Sequence, residues 1–145
     1  MRKLRTFLAL PGAERAAFLE AWFRVCTSKL ALHVLGLPRT LAWHSRAPDR
    51  GAASRELPRA ARWIGVAARY TPGGASCLVR SLALLGLLRR RGIAAALRVG
   101  VGRTAPCLEA HAWVELDGLP VNDAADVAAR YPPFAGSLLG ARFAP

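Results

Sequence analysis

The sequence is poor in cysteine, in acidic residues and in long apolar runs. Its three cysteines are an odd number and none forms a Cys-x-x-Cys pair, so a disulfide framework and a structural zinc site are both disfavoured. No apolar run reaches the ~18 residues that a membrane-spanning helix needs. The N-terminal apolar stretch is broken at Pro11 and Gly12, which leaves it too short for the core of a signal peptide. We therefore expect a cytoplasmic protein without a membrane span, a metal or a cofactor.

Acidic side chains number nine against 21 basic ones, which gives a net charge of +12. Arginine supplies 19 of the basic residues and alanine occurs 29 times, a bias that a GC-rich coding sequence can produce alone. The balance is +15 over residues 1–103 and −3 over residues 104–145. Such a basic part can attract an acidic partner, nucleic acid or a membrane surface. The aromatic-basic alternation of single-strand binders and zinc-finger spacing are both missing, so we do not expect nucleic-acid binding.

The length of 145 residues suits one domain with a hydrophobic core of its own. The spacing of apolar residues divides the chain into an N-terminal helical region, residues 1–70, and an α/β core, residues 71–145. We expect the helical region to pack on the core or to dock beside it, within a single compact domain.

Two helices are predicted in the N-terminal region. Pro11 is suited to the first turn of a helix, apolar residues then recur at helical spacing, and Gly36 with Pro38 should end that helix. Residues 39–57 are polar and predict a loop with at most a short helix. The second helix is predicted over residues 58–70.

A strong breaker, Thr71-Pro72-Gly73-Gly74, precedes a helix that starts at Cys77 and is apolar on nearly every face. Gly92 should cap its end. Strands are expected over residues 95–101, 109–116 and 119–123, with a loop at 102–107 and a short helix and a Pro-rich tail after residue 124. The predicted fold class is therefore α+β, in which a small antiparallel sheet packs on the buried helix and the N-terminal helices cover one side.

Cys77 lies where this helix begins, close behind a glycine pair. A catalytic thiol reacts as the thiolate, and the first turn of a helix offers unpaired N–H groups and the positive end of the helix dipole. Gly73 and Gly74 leave space for a substrate backbone, and the Cys77 N–H is suited to bind an oxyanion. Taken alone, such a cysteine is more often a small buried side chain. Cys26 and Cys107 lack the helix start and are interpreted as structural.

His111 lies on a strand of alternating character. The apolar face of this strand comprises Ala112, Val114 and Leu116, and the other face comprises His111, Trp113 and Glu115. A lone histidine at such a position is more often structural than catalytic. His33 and His44 have no acidic or thiol partner nearby in the sequence and are interpreted as non-catalytic.

The turn between the last two strands decides whether Asp123 can reach His111. With a two-residue turn at residues 117–118, Asp123 would face Ala112 and point away from the imidazole, which would rule the pair out. With a three-residue loop at 116–118 that ends in a glycine bulge, Asp123 lies directly across from His111. We predict the three-residue register.

Other residues near these three are weaker candidates. Asp126 and Glu115 are fallback partners for the imidazole. The candidates for substrate binding are Gly74, Ser76 and Trp113. For Trp113, packing is an equally good interpretation, and Arg80 either contacts a substrate or partner or is simply solvated.

A cysteine at a helix start, a histidine on a strand and an aspartate on the next strand follow the order of papain and the transglutaminases. The sequence also resembles the lasso peptide biosynthesis B2 proteins, which are leader peptidases with a transglutaminase-like core. The segments that carry this resemblance are 76–84, 87–93, 97–101, 110–115, 117–118 and 121–123. The length fits the stand-alone B2 form, which lacks a fused leader-recognition domain.

The resemblance implies a cysteine peptidase with the catalytic triad Cys77, His111 and Asp123. Its substrate would be a ribosomally made precursor peptide, whose leader a separate B1 protein binds and presents. Cys77 would attack the carbonyl of the last leader residue, and the freed core peptide would pass to an ATP-dependent cyclase. Trp22 and Phe23, with exposed arginines of the helical region, are a candidate docking surface for the B1 protein.

Three other functions stay open on the residues. An acyltransferase would use the same triad with an amine in place of water. A non-enzymatic basic scaffold or nucleic-acid-binding protein would not need Cys77. A metal site is the weakest alternative, because it would have three lone ligands on separate elements.

Overall fold

The computed structural model of the protein describes Arg5 and residues 7–44, 56–104 and 107–134. The main elements along these residues are α1 (Gly12–His44), α2 (Leu57–Arg69), α3 (Cys77–Arg90), β1 (Ala96–Thr104), β2 (Cys107–Leu116), β3 (Leu119–Pro120) and α4 (Val127–Arg130). The three strands form one antiparallel sheet in the order β1-β2-β3. Among the described helices, none combines the length and the apolar character needed to span a bilayer.

α1 is kinked at Gly36, whose φ of 73° and ψ of 172° are not helical. Pro38 follows in the first turn of the renewed helix, where a proline costs no helical hydrogen bond. Thr40 Oγ1 donates to the Gly36 carbonyl at 2.8 Å and so supports the kink. The predicted end of the first helix at Gly36 and Pro38 is confirmed, because helical geometry stops at Gly36 and a second helical segment then runs on to His44.

The polar segment 39–57 was predicted as a loop with at most a short helix. Its first residues form that short helix as the last part of α1, and residues 45–55 lie outside the described part of the chain. α2 confirms the helix predicted over residues 58–70, with Pro58 in its first turn.

α3 begins at Cys77, as predicted, and its two ends are capped by local hydrogen bonds. Ser76 is the N-cap, and its side chain accepts a hydrogen bond from the Val79 amide at 3.3 Å. Gly92 has a φ of 76°, and its amide and the next one donate back to the last turn of α3 in a Schellman motif. The prediction that Gly92 caps this helix is confirmed.

α3 lies at the centre of the hydrophobic core. Four of its leucines have no exposed surface: Leu82, Leu84, Leu85 and Leu88. The side chains around them come from α1, α2, β1 and β2, and include Val25, Ile64, Leu97 and Val114. The predicted α+β class, with a small antiparallel sheet on a buried helix, is confirmed. The division at residue 70 stays a prediction, although helices on both sides of it share this core.

The sheet differs from the prediction at both hairpins. β1 continues to Thr104 and β2 begins at Cys107, and β1 pairs along its whole length with residues 107–115 of β2. Residues 102–104 and Cys107 lie in strands, so the predicted loop over 102–107 was wrong for the residues that the structure describes. By contrast, the strand predicted over 119–123 pairs only as the two residues of β3.

Candidate active site

Cys77 is the first residue of α3, and its side chain is partly buried. The chain reaches it from α2 through Gly73 and Gly74, which both have a φ of 69°. Glycine adopts this conformation at little cost, which lets the loop turn sharply into the helix. Apart from Gly74 itself and its two chain neighbours, no described atom lies within 4 Å of the point where a Cβ on Gly74 would stand, so the surface before Cys77 is open.

Ser81 joins α3 to the sheet one turn after Cys77. Its hydroxyl donates to the Ala112 carbonyl of β2 at 2.9 Å and accepts from Asn122 Nδ2 at 3.1 Å. Residues four apart lie on the same face of a helix. Cys77 therefore shares the face of α3 that meets β2 at the residue after His111.

His111 and Asp123 form a close pair, with 2.6 Å between Nε2 and Oδ2. Their side chains are 16% and 19% exposed, so water reaches the pair only in part. An ionised carboxylate only accepts hydrogen bonds, and Nε2 must therefore donate. The lone pair of the neutral ring is then on Nδ1, which is the nitrogen that can take a proton from a thiol.

The register that we predicted for this pair was wrong. β3 follows β2 across a two-residue turn, Asp117-Gly118, whose φ values of 50° and 79° are those of a type I′ hairpin. We expected this register to turn Asp123 away from His111. That expectation assumed that β3 continues as a regular strand as far as Asp123.

Asp123 reaches His111 because β3 ends early. The Val121 amide still donates to the Val114 carbonyl at 2.8 Å. The next hydrogen bond between the two segments is made by a side chain in place of the backbone, because the Val114 amide donates to Asn122 Oδ1 at 2.8 Å. The backbone thus leaves the ladder at Asn122, and the strict alternation of faces ends before Asp123.

The surroundings of Asp123 keep it ionised. Partial burial by itself acts to raise the pKa of this carboxyl. Hydrogen bonds from His111 and from the Ala124 amide, with the charges of His111 and Arg130, outweigh burial and hold the pKa below its usual value. Arg130 Nη2 lies 3.3 Å from Oδ1. The carboxylate can therefore orient the imidazole and stabilise its protonated form.

Tyr131 packs against His111 from the segment that follows α4. The two ring centroids are 4.7 Å apart and the ring planes differ by 31°. The Tyr131 hydroxyl donates to Glu109 Oε2 at 3.1 Å, and this bond raises the pKa of Tyr131. The chain then pairs with β1, where the Phe134 amide donates to the Val99 carbonyl at 3.0 Å. A segment that was predicted only as a short helix and a Pro-rich tail therefore covers one side of the imidazole.

Two glycines of β1 permit this close approach. A Cβ on Gly102 would lie 2.6 Å from the Arg130 carbonyl oxygen, and one on Gly100 would collide with the backbone of Tyr131 and Pro132. Glycine inside a strand often marks a site where another backbone comes close. The alternating Val-Gly-Val-Gly at residues 99–102 was thus a signal for Tyr131 that sequence reasoning missed.

Ser81 and Asn122 were also missed. Ser81 is a fully buried polar residue in an otherwise apolar stretch of α3. A buried hydroxyl needs a partner, and this one position could have indicated a polar contact with the sheet. The sequence holds no comparable signal for Asn122, whose role depends on where β3 ends.

The three predicted substrate-binding residues differ in exposure. Gly74 and Ser76 are exposed directly before α3. Trp113 is 0% exposed and donates Nε1 to Glu115 Oε1 at 2.8 Å. Its ring stacks on His111 with 6.3 Å between centroids. Of the two interpretations that the sequence left open for Trp113, the structure favours packing, because a buried ring cannot line a groove.

Neither fallback partner contacts the imidazole within the described residues. Glu115 is buried and accepts from Arg98 Nε at 2.8 Å. Asp126 pairs with Arg130 Nε at 3.4 Å. Arg80 is partly buried on α3.

The four residues interpreted as non-catalytic lie on α1 or at the start of β2, four residues before His111. They are Cys26, His33 and His44 on α1 and Cys107 at the start of β2. His44 is buried, and its burial, followed by the charge of Arg24, lowers its pKa to about 4. His44 is therefore neutral at physiological pH, and its ring packs against α3 at Gly86.

Comparison with protein families matches residues 19–135 to the Transglutaminase-like superfamily. The match includes most of α1, the whole sheet, and the positions of Cys77, His111 and Asp123. Searches of curated proteins and of solved structures found no match to the chain. Because the family match covers well over half of the sequence, the chain belongs to the transglutaminase-like superfamily.

Proposed function

We propose that this member of the transglutaminase-like superfamily is a cysteine peptidase, with Cys77 as nucleophile, His111 as general base and acid, and Asp123 as the orienting carboxylate. The observation that carries the proposal is the 2.6 Å hydrogen bond between His111 Nε2 and Asp123 Oδ2. The position of Cys77 at the start of α3, on the face that Ser81 joins to β2, supports its place in the same site.

In the proposed reaction the Cys77 thiol gives its proton to His111 Nδ1, and the sulfur attacks the carbonyl carbon of the scissile peptide bond. The oxyanion is stabilised at the start of α3, where the Cys77 N–H is one available donor. His111 returns the proton to the leaving amine nitrogen, the C–N bond breaks and a thioester remains. Water then attacks the thioester, giving a proton to His111, and the released thiol takes that proton back.

We further propose that the substrate is a ribosomally made lasso peptide precursor, cleaved after its last leader residue. The support for this finer assignment is the resemblance of residues 70–125 to the B2 leader peptidases. A separate B1 protein would hold the leader, and the freed amino terminus would pass to the ATP-dependent cyclase. The reaction would take place in the cytoplasm and would need no cofactor.

The docking surface proposed for the B1 protein lies on α1. Trp22 and Phe23 are 36% and 61% exposed, and Leu30 and Val34 extend this exposed apolar surface along the helix. Contiguous exposed apolar surface often marks a site of protein–protein contact. Trp22 also donates Nε1 to the Tyr70 carbonyl at 3.3 Å, which brings the surface next to the loop before Cys77.

The test is a mass-spectrometric cleavage assay with purified precursor and B1 protein. The wild-type chain should release the leader, Cys77→Ala should leave the precursor intact, and Cys107→Ala should cleave like the wild type. Absence of cleavage by the wild type, with and without the B1 protein, would refute the peptidase. A precursor joined to an amine would identify an acyltransferase. Full function of Cys77→Ala, with steep loss of binding in salt, would identify a basic binding protein.

A further inference from the structure

Lys29 connects α1 to the loop that leads into α3. Its Nζ donates to the Pro72 carbonyl at 2.7 Å and to the Gly74 carbonyl at 2.8 Å. These carbonyls stand five and three residues before Cys77 in the sequence. One ammonium group therefore bridges the turn that sets the path of the chain into the nucleophile.

The bridged turn has one hydrogen bond of its own, from the Gly74 amide to the Thr71 carbonyl at 2.9 Å, with Pro72 and Gly73 at its two central positions. Gly73 and Gly74 both have a φ of 69°, and glycine loses more backbone entropy on folding than any other residue. A Cβ on Gly73 would lie 3.1 Å from Lys29 Nζ, so the ammonium sits directly against the turn. Ser76, which caps α3, follows two residues after Gly74. The bonds from Lys29 tie this turn to α1, and one of them holds the Gly74 carbonyl, two residues before the cap.

The choice of lysine fits this geometry. The chain has two lysines against 19 arginines, so lysine at position 29 departs from its general usage. An ammonium presents three donors from one atom, which suits two carbonyl oxygens that converge on a point. The flat guanidinium fork of arginine suits a carboxylate better.

Contacts on the N-terminal side of the turn hold the loop as well. Trp22 Nε1 donates to the Tyr70 carbonyl at 3.3 Å, from a position two turns before Lys29 on the same face of α1. The Thr71 hydroxyl donates to the Ala67 carbonyl of α2 at 3.1 Å. Both of these contacts precede the glycines, whereas Lys29 binds on either side of Gly73.

We propose that Lys29 is a positioning residue for Cys77. By holding the Pro72 and Gly74 carbonyls, it fixes where α3 begins and hence where the Cys77 sulfur stands relative to His111. This role rests on the proposed function, because it requires that Cys77 be the nucleophile. Lys29 acts through the loop and not on the substrate, so its loss should lower kcat and leave KM for the peptide nearly unchanged.

Three variants test the role. Lys29→Met keeps the stem and removes the ammonium, Lys29→Arg keeps the charge with a different shape, and Arg39→Met removes an exposed cation elsewhere on α1. The first measurement is the rate at which iodoacetamide alkylates Cys77, with Cys107 of the same molecule as reference. The others are hydrogen exchange over residues 72–79 and, with precursor and B1 protein, kcat and KM.

Lys29→Met should lower kcat and the relative alkylation rate of Cys77 by about tenfold or more, the order expected when a reacting group is misplaced. Exchange over residues 72–79 should become faster, and KM should stay near the wild-type value. Lys29→Arg should give values between those of Lys29→Met and the wild type, and Arg39→Met should match the wild type. A merely structural role would lower Tm but leave the alkylation ratio and kcat of the folded protein unchanged.

Unchanged alkylation and kcat in both Lys29 variants, beside an active wild type, would overturn the role of Lys29 alone. An equal loss in Arg39→Met would overturn it too. If Lys29→Met does not fold, Lys29→Arg decides by the same measurements. A wild type that cleaves nothing and alkylates Cys77 no faster than Cys107 would refute the peptidase, and this role with it.

Discussion

The helical side of the molecule and its sheet side each place one histidine away from bulk water. On the helical side, His44 is 5% exposed, and its Nε2 lies 3.5 Å from Ser28 Oγ. Burial, followed by the charge of Arg24, lowers its pKa to about 4, so the ring is neutral. On the sheet side, His111 keeps 16% of its side-chain surface and bonds to Asp123 at 2.6 Å.

The partner of each ring, more than its burial, separates the two histidines. A hydroxyl can donate or accept, so Ser28 leaves the proton on either nitrogen of His44. Asp123 accepts only, so it fixes the proton of His111 on Nε2 and can stabilise a second proton on Nδ1. His44 is thus a packing group, and His111 is equipped for proton transfer.

Replacing the carboxylate should nearly abolish turnover. Asp123→Asn is expected to lower kcat about 100- to 10,000-fold, because an amide can donate to Nε2 and so favours the wrong tautomer. Steady-state cleavage of the precursor measures this, with Asp126→Asn as the control for loss of a neighbouring exposed charge. Equal rates for the two variants would remove Asp123 from the triad.

Removing the side chain that ends β3 should destabilise the sheet side. Asn122→Ala leaves the Val114 amide and the Ser81 hydroxyl each short of a partner, and should lower the free energy of unfolding by about 2 to 3 kcal/mol. On the helical side, Thr27→Ala removes a hydroxyl whose bonds, among the described residues, stay within its own helix turn, and should cost less than about 0.5 kcal/mol. Urea unfolding of both variants measures the two losses of stability. A larger loss in Thr27→Ala than in Asn122→Ala would contradict the role assigned to Asn122.

Substitutions of two helical glycines, Gly86 in α3 and Gly65 in α2, test how His44 packs. A Cβ on Gly86 would collide with the His44 ring, whereas no described atom beyond the neighbouring helix backbone lies within 4 Å of a Cβ on Gly65. Gly86→Ala should therefore destabilise the protein by about 1 to 2 kcal/mol through overpacking. Gly65→Ala should stabilise it by up to about 1 kcal/mol through helix propensity. Thermal unfolding measures both, and stabilisation by Gly86→Ala would show that the ring lies elsewhere.

The lowered pKa of His44 predicts a loss of stability in acid. The unfolded chain binds this proton below a pKa of about 6.5 and the folded chain only below about 4. The free energy of unfolding should therefore be nearly unaffected by this group above about pH 7.5 and fall on acidification towards pH 4, by about 1.4 kcal/mol at pH 5.5. His44→Gln should flatten the pH dependence of urea unfolding. His33→Gln, at an exposed position, should leave it as in the wild type.

Local signals in the sequence correctly predicted the helix that carries Cys77. The breaker at residues 71–74 and the cap at Gly92 predicted the bounds of α3, and its apolar character on all sides predicted that it is central. Gly36 with Pro38 correctly marked the end of the first helix, because glycine adopts at little cost the positive φ found there. The segment that follows, up to His44, was predicted only as a loop with at most a short helix.

Asp123 shows why the rest could not be predicted. We expected the His111 pair from a three-residue loop, but the turn has two residues and the pair forms because Asn122 ends the ladder. A side chain that replaces a backbone acceptor leaves no periodic pattern in a sequence. The contact of Tyr131 with His111 likewise depends on where the tail returns to β1, and only Gly100 and Gly102 hint at it.

The central claim is that Cys77 and His111 belong to one site, and thiol reactivity without substrate tests it most directly. The measurement is the rate of iodoacetamide alkylation of Cys77 relative to Cys107, by mass spectrometry, in the wild type and in His111→Ala. We predict that partly buried Cys77 reacts faster than exposed Cys107 in the wild type, and that His111→Ala removes this advantage. The same ratio in both proteins would contradict the claim.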